Sequence, residues 1–445
     1  MRSAATTTDG WRGRPGPDWS ELDLLAAVAH AADTGALGSS VLIGYDTRAG
    51  SAQIATLIAS LLRIRNVSCK LADGPAPTPA AGRYAHSDPD LTGAVIVTAS
   101  HNPPGYTGVK LRDANGLGTA WPQPPDRLAI DLDSLSGHAS QHHATAPVAG
   151  HYAATIGREL ERAVSRFSGT VIIDAAHGAV GALAGHLPSV RWARAMPLPF
   201  FGGRTPDPTL IPDASDIAGA ALRGAADPRH TVTAMVDGDG DRLVLHTAAS
   251  GCIGSAEQAA LLISAGLPVE HFVTSVVAPR MAIRAASQRN PPITITQVPV
   301  GFKHQVTTWL QAPDRATLGM EPNGAFAWAP DSSGYFERDS LAALTSLLTI
   351  FPSADALDDA ATALRHAYPH PQRILATPKA AERVVTDLSR CLAGWRHDTV
   401  AMGLDVFDDG EDGWIAIRAS GTEPITRLYV EASPATRELL RESLS

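Results

Sequence analysis

At 445 residues, with 44% hydrophobic and 18% charged side chains, the chain reads as a globular protein too long for one ordinary core and suggests three or four domains. A formal net charge of −9 argues against a duplex-binding surface, which needs clustered Lys and Arg. No apolar run of about 18 residues predicts a membrane span, and the first residues lack the apolar core of a secretory signal. Three scattered cysteines (Cys69, Cys252, Cys391) form neither a disulfide framework nor a zinc pattern, which points to a reducing, cytoplasmic setting.

Three stretches repeat one plan, in which a short apolar strand, a helical run and a second apolar strand end in a polar loop. The first runs from a strand at 41–46 through a helix at 51–64 to a strand at 94–97 and the loop TASHNPPG. The second runs from 171–174 through a helical 180–186 to 232–236 and DGDGDR, and the third from 272–277 through 280–287 to 316–318 and GMEPNG. Short continuous apolar strands alternating with helices predict parallel sheets covered on both faces. Ligands of such sheets collect beyond the carboxyl ends of the strands, where each unusual loop sits. The end of the chain reads differently: a strand at 414–417, the loop RASGTEPITR, a strand at 428–431 and a helix from about 434. The Pro- and His-rich 368–371 reads as a linker. These signals divide the chain into α/β units at 1–150, 151–255 and 256–368 and a smaller α+β unit at 369–445.

Asp237, Asp239 and Asp241 alternate with glycines after an apolar strand, so the backbone can turn all three carboxylates onto one hard cation. An EF-hand is excluded by Arg242 at its required Gly position and Ala248 at its bidentate Glu position. A haloacid-dehalogenase-type phosphatase, with Asp237 as nucleophile, is a competing reading. Ser100, at a strand end in a Pro-stiffened loop, suits nucleophilic or phosphoryl-carrier work, though a turn-forming Ser-His pair reads equally well. No Gly-x-Ser-x-Gly elbow is present, which disfavours an esterase. Lys110 lies within reach as an acid or base. Arg418, Ser420, Gly421, Thr422 and Arg427 assemble what a dianionic phosphate needs: two guanidinium groups, two hydroxyls and backbone N–H groups. Glu321 and Asn323 could read vicinal sugar hydroxyls, but Glu321 taken alone reads as a solvated turn residue.

Together these loops resemble the α-D-phosphohexomutase family of phosphoglucomutases, phosphomannomutases and phosphoglucosamine mutases. TDGWRG (8–13) is similar to the family's N-terminal motif, TASHNPPGYTGVK (98–110) to its phosphoserine loop and DGDGDR to its metal loop. VPVGFKHQ around Lys303, GMEPNG and RASGTEPITRLYVEA resemble further family motifs in the same order. The resemblance implies three similar α/β domains with mixed sheets and a smaller C-terminal domain around one central cleft. It implies that Ser100 is phosphorylated and that Asp237, Asp239 and Asp241 hold Mg²⁺ together with that phosphoserine. Arg12, His101, Lys110 and Arg242 would surround the transferring group. Lys303, Glu321 and Asn323 would bind the sugar phosphate, with the Arg418–Arg427 segment clasping the phosphate not in transfer. The implied reaction moves phosphoryl between the 1- and 6-positions of a hexose phosphate through a 1,6-bisphosphate, which also serves as activator. Phosphoglucomutase/phosphomannomutase activity is the leading expectation; a phosphoglucosamine mutase or a phosphosugar-binding homologue is the alternative. Asn323-Gly324-Ala325 stands where many members carry Ser-Gly-His, a departure that bears on which sugar is used.

Overall fold

The computed structural model describes residues 5–7, 10–18, 20–119, 121–122, 143–331, 335–400, 404–411, 413–419 and 425–444. Successive parts of the chain supply four sheets. The first is built from β1 (Ala5–Thr7), β2 (Gly10–Gly13), β3 (Ser40–Tyr45), β4 (Ser68–Ala72), β5 (Gly93–Val97), β6 (Thr107–Arg112) and β7 (Ala144–Ala146), in the spatial order β1-β2-β6-β5-β3-β4-β7. The second contains β8 (Thr170–Asp174), β9 (Arg191–Ala193), β10 (Thr231–Val236), β11 (Leu243–Thr247) and β12 (Gly251–Ile253), ordered β12-β11-β10-β8-β9. The third orders β13 (His271–Ser275), β14 (Thr294–Val298), β15 (Thr317–Glu321) and β16 (Ala325–Ala329) as β14-β13-β15-β16.

The sheets are mixed, as the family resemblance implies, whereas the strand–helix alternation alone suggested parallel ones. Parallel pairs (β3 with β5, β8 with β10, β13 with β15) form the centre of each. The chain then leaves β5, β10 or β15 through one of the three unusual loops and returns antiparallel as β6, β11 or β16. Each loop is therefore the tip of a hairpin. This geometry puts Lys110 on a strand of its own, β6, beside the strand that delivers Ser100.

Burial on both faces explains the continuous apolar runs. Along β3, Val41 and Ile43 join a core with Leu24, Val28, Ile58, Val95 and Val97, whereas Leu42 and Ile96 face a second core. That second core continues through Ile173 and Val232 to Leu318 and Phe326, so the first three sheets share one apolar interior. Between the units, Asp339 caps the helix Ser340–Ile350 through the Ala342 N–H and also accepts from Tyr152 at 2.6 Å and Arg83 at 2.7 Å. The expected helix at 180–186 is only a 3₁₀ turn, Ala179–Leu183, within which Gly181 leaves room for the Ala195 carbonyl that a Cβ would strike.

The fourth sheet is antiparallel, with β17 (Arg373–Thr377), β18 (Arg396–Val400), β19 (Leu404–Asp408), β20 (Trp414–Ala419) and β21 (Thr426–Glu431) ordered β17-β21-β20-β19-β18. It has its own core of Val384, Leu388, Phe407, Ile415 and Leu428. A smaller cluster of Val277, Leu404, Trp414, Ala416 and Tyr429 joins it to the third unit. Among the described residues, no helix is long and apolar enough to cross a membrane.

Candidate active site

β10 ends at Val236, and the next carboxylate organises its own loop. Asp237 Oδ1 accepts the N–H groups of Gly240, Asp241 and Arg242 at 3.0, 3.0 and 3.2 Å. The turn needs Gly240 in the left-handed region, at φ 79°. Asp237 Oδ2 accepts from Ser100 Oγ at 3.0 Å, which joins the first unit to the second. Gly238 permits that approach, because a Cβ there would stand 2.7 Å from the Ser100 carbonyl oxygen.

Lys110 is fully buried, with Nζ 2.8 Å from both Asp239 Oδ2 and Asp241 Oδ2. Thr78 Oγ1 also donates to Asp239 at 2.6 Å, and Arg338 lies 3.5 Å from Asp241. One oxygen from each of the three aspartates lies within 4.8 Å of the others. Asp239 Oδ1 and Asp241 Oδ1 are buried with no hydrogen-bond partner. Two orphaned carboxylate oxygens in an all-oxygen donor set fit a hard divalent cation.

Burial raises Asp237 well above the usual carboxylate range, helped by the charges of Asp241 and Asp239 and opposed by Arg242 and Lys110. Burial also acts to raise Asp239 and Asp241. Both nonetheless end lowered: Lys110 and the Thr78 hydroxyl outweigh it at Asp239, and Lys110 and Arg338 at Asp241. Asp237 is thus the member of the trio that holds its negative charge least readily.

His101 is held well below its ordinary pKa by burial and by the adjacent Arg242 and Arg12 charges, so it is a neutral imidazole. Arg242 can only donate, which makes Nε2, 3.4 Å from its Nη2, the acceptor. The proton then sits on Nδ1, which is buried without a partner and available to an incoming oxygen. Arg12, on β2, reaches Asn102 Oδ1 at 3.4 Å. Arg242 lies 3.6 Å from Asp207 and 4.0 Å from Asp237 and Asp241.

The β15–β16 hairpin meets the same site through its backbone. Leu243 N–H donates to the Gly324 carbonyl at 2.9 Å, and Arg242 forms a β-bridge with Ala325. Glu321 is the last residue of β15 and is buried, not a solvated turn residue, because pairing with Ala325 keeps it within the sheet. Asn323 Nδ2 lies 3.5 Å from Glu321 Oε2, and its Oδ1 is buried without a partner.

The structure therefore gathers Arg12, Ser100, His101, Lys110, Asp237, Asp239, Asp241 and Arg242, with Glu321 and Asn323 attached through the third unit. Lys303 is half-buried in the first turn of the helix Phe302–Leu310, next to Phe302, whose ring lies 5.3 Å from the Arg338 guanidinium. Arg418 and Arg427 face each other across β20 and β21 in the fourth sheet. Ser420, Gly421 and Thr422 lie outside the described residues, as do Thr8 and Asp9 of the N-terminal motif.

Sequence reasoning missed Arg48. It is 3% exposed at the end of β3, where Nε pairs with Asp46 at 3.1 Å and the two Nη atoms donate to carbonyls of the Ser100 loop. The available signal was an Asp-x-Arg at the carboxyl end of a central parallel strand.

The family model for phosphoglucomutase/phosphomannomutase, alpha/beta/alpha domain I, matches residues 4–124, and that for the C-terminal domain matches residues 405–442. The chain is thus similar, over its first and its last unit, to the phosphoglucomutase/phosphomannomutase group of α-D-phosphohexomutases. Curated relatives match along nearly the whole length of the chain. A phosphoglucomutase/phosphomannomutase of Thermococcus kodakarensis is 27% identical over 91% of this chain and 88% of its own. A phosphoglucosamine/phosphogalactosamine mutase of Sulfurisphaera tokodaii is 26% identical over 96% and 94%. A solved phosphoglucomutase/phosphomannomutase family protein from Burkholderia thailandensis shares the fold, with a TM-score of 0.72 over 100% of this chain and 98% of its own at 21% identity.

Proposed function

We propose that this protein moves a phosphoryl group between the 1- and 6-positions of a hexose phosphate, with Ser100 as its carrier. The observation that carries the reading is Ser100 Oγ held 3.0 Å from Asp237 in a trio of aspartates braced by buried Lys110. Glucose and mannose phosphates are the leading substrates. Glucosamine phosphate is the second reading, favoured by relatives named phosphoglucosamine mutase across nearly the full chain. Cytoplasmic sugar metabolism is the setting we assign.

Phosphoryl transfer demands positioning and neutralisation of spreading negative charge. In this reading Arg12, Arg242 and the Nδ1–H of neutral His101 supply donors for phosphoryl oxygens. In the first half-reaction the Oγ–P bond of phosphoserine breaks as the free sugar hydroxyl bonds to phosphorus. Lys110, as the ammonium, gives a proton to Oγ and is restored by the proton that the hydroxyl releases; in the reverse half-reaction the same lysine takes the proton from Oγ and the sugar oxygen regains one. Asp237, Asp239 and Asp241 would hold Mg²⁺, which when bound adds positive charge against the phosphoryl oxygens. The 1,6-bisphosphate turns end for end before its other phosphoryl group returns to Ser100. Glu321 and Asn323 read the sugar, Lys303 adds charge for the sugar phosphate, and the Arg418–Arg427 segment grips the phosphate not in transfer.

The test offers glucose, mannose and glucosamine 1-phosphates with Mg²⁺ and a trace of bisphosphate, and measures 6-phosphates. Turnover lost in Ser100→Ala is expected, and competition among the three ranks the sugars. Absence of turnover with all three, by folded protein phosphorylated at Ser100, would refute the proposal. Phosphate release that survives Ser100→Ala but not Asp237→Asn would select an aspartyl phosphatase instead.

A further inference from the structure

Asn102-Pro103-Pro104 creates a local shortage of donors. Neither proline has an N–H, and the carbonyls of Ser100, Asn102, Pro103 and Tyr106 are turned inward towards one side chain. Of these, the Pro103 carbonyl also accepts the Tyr106 N–H at 3.0 Å. Arg48 Nη2 donates to the Ser100 and Asn102 carbonyls, both at 2.7 Å, and Nη1 to those of Pro103 at 2.8 Å and Tyr106 at 2.9 Å. With Nε on Asp46, all five guanidinium N–H groups are used. Asp46 also accepts from Thr98 Oγ1 at 2.7 Å, and Thr98 Oγ1 accepts the Ser100 N–H at 2.9 Å. Ser100 is thereby fixed from both its N–H and its C=O, in the left-handed region at φ 53°, which a non-glycine residue seldom occupies.

The second unit closes over this clamp. The Phe201 ring lies 4.8 Å from the Arg48 guanidinium, the Ala49 N–H donates to the Pro199 carbonyl, and Thr47 Oγ1 donates to the His177 carbonyl. Phe201 and His177 are themselves left-handed, at φ 52° and 58°. Backbone strain of this kind persists only where the surroundings enforce it, and here it lies on both partners of one contact.

We infer that Arg48 is a positioning residue for phosphoryl transfer, which sets the attack geometry of Ser100 Oγ through four main-chain carbonyls and is locked in place by Phe201 of the second unit. The inference rests on the mutase reading. Arg48 is too deeply buried to meet the sugar phosphate, so its removal changes where Oγ sits and not how substrate binds. A lysine keeps the positive charge beside Asp46 but has three N–H donors with no planar fork, and so cannot span the four carbonyls.

Arg48→Lys is expected to lower kcat about 100-fold, the scale of a misplaced reacting group, with KM within about two-fold of wild type. Phe201→Leu removes the ring face while keeping apolar bulk, and should cost about ten-fold in kcat with the same unchanged KM. Hydrogen exchange gives a readout independent of turnover. In both variants the Asn102 and Tyr106 amides, which bond the Ala99 and Pro103 carbonyls, should lose protection while β5 keeps its own. Wild-type kcat in a folded variant, a loss confined to KM, or unchanged protection at Asn102 and Tyr106 would overturn the inference. If Arg48→Lys does not fold, Phe201→Leu decides by the same measurements. Wild-type protein inactive on every hexose phosphate would count against the mutase reading, and the exchange pattern would still decide whether Arg48 holds the loop.

Discussion

Glu431, at the end of β21, is buried where the fourth sheet meets the third unit, and its carboxyl accepts the Arg280 N–H at 2.8 Å. Burial raises it from 4.5 to about 7, although the Arg280 N–H, the Arg280 and Arg284 charges and Gln372 all act to lower it. Between those two values the folded chain holds a proton that the unfolded chain has released. The stability tied to this carboxyl is therefore fully present below about pH 4.5 and is lost as pH rises through about 7. A difference of about 2.5 in pKa corresponds to about 3 kcal/mol. Glu431→Gln keeps an acceptor for Arg280 and cannot ionise. Urea unfolding from pH 5 to 8, followed through the transition that frees the fourth sheet, should show wild type losing about 2.5 kcal/mol relative to Glu431→Gln, the rest being lost already below pH 5. The variant should be the more stable protein at pH 8. Profiles that run parallel within about 0.5 kcal/mol would refute the reasoning, since they would mean the carboxyl is as well solvated by Arg280 and Gln372 as by water.

Lys110→Met strips the buried counter-charge from Asp239 and Asp241. It should cost about 3–5 kcal/mol of stability in EDTA, the penalty of breaking a buried ion pair from one side, and turnover should fall at least about 100-fold. Thermal unfolding checks the first part, and unchanged stability in EDTA would show that the carboxylates do not depend on the lysine. Mg²⁺ at about 100 times its dissociation constant should stabilise wild type by about 2.7 kcal/mol. Asp239→Asn should blunt that response, and an equal response in both proteins would place the ion elsewhere.

Much of the chemistry was legible because it is local. The alternating Asp237-Gly238-Asp239-Gly240-Asp241 can only be a turn crowded with carboxylates, and Ser100 follows an apolar strand directly. What local sequence could not reveal was the return path of the chain. β6, β11 and β16 are short and look like ordinary apolar stretches, so the hairpins that bring Lys110 opposite the aspartates and keep Glu321 inside a sheet were hidden. Arg48 was hidden for a similar reason: its four acceptors are backbone carbonyls more than 50 residues away, and backbone atoms leave no mark in a sequence pattern.

The sequence by itself determined the repeated strand–helix–strand plan, the phosphoryl-handling residue types and the order of the loops, because periodicity and turn chemistry act over a few residues. Only the tertiary structure decided which groups are neutral, which are paired and which are held by the backbone. Asp237 and His101 take their charge states from burial and from partners that include groups on other units, and those partners meet only when the first three sheets close on their shared core.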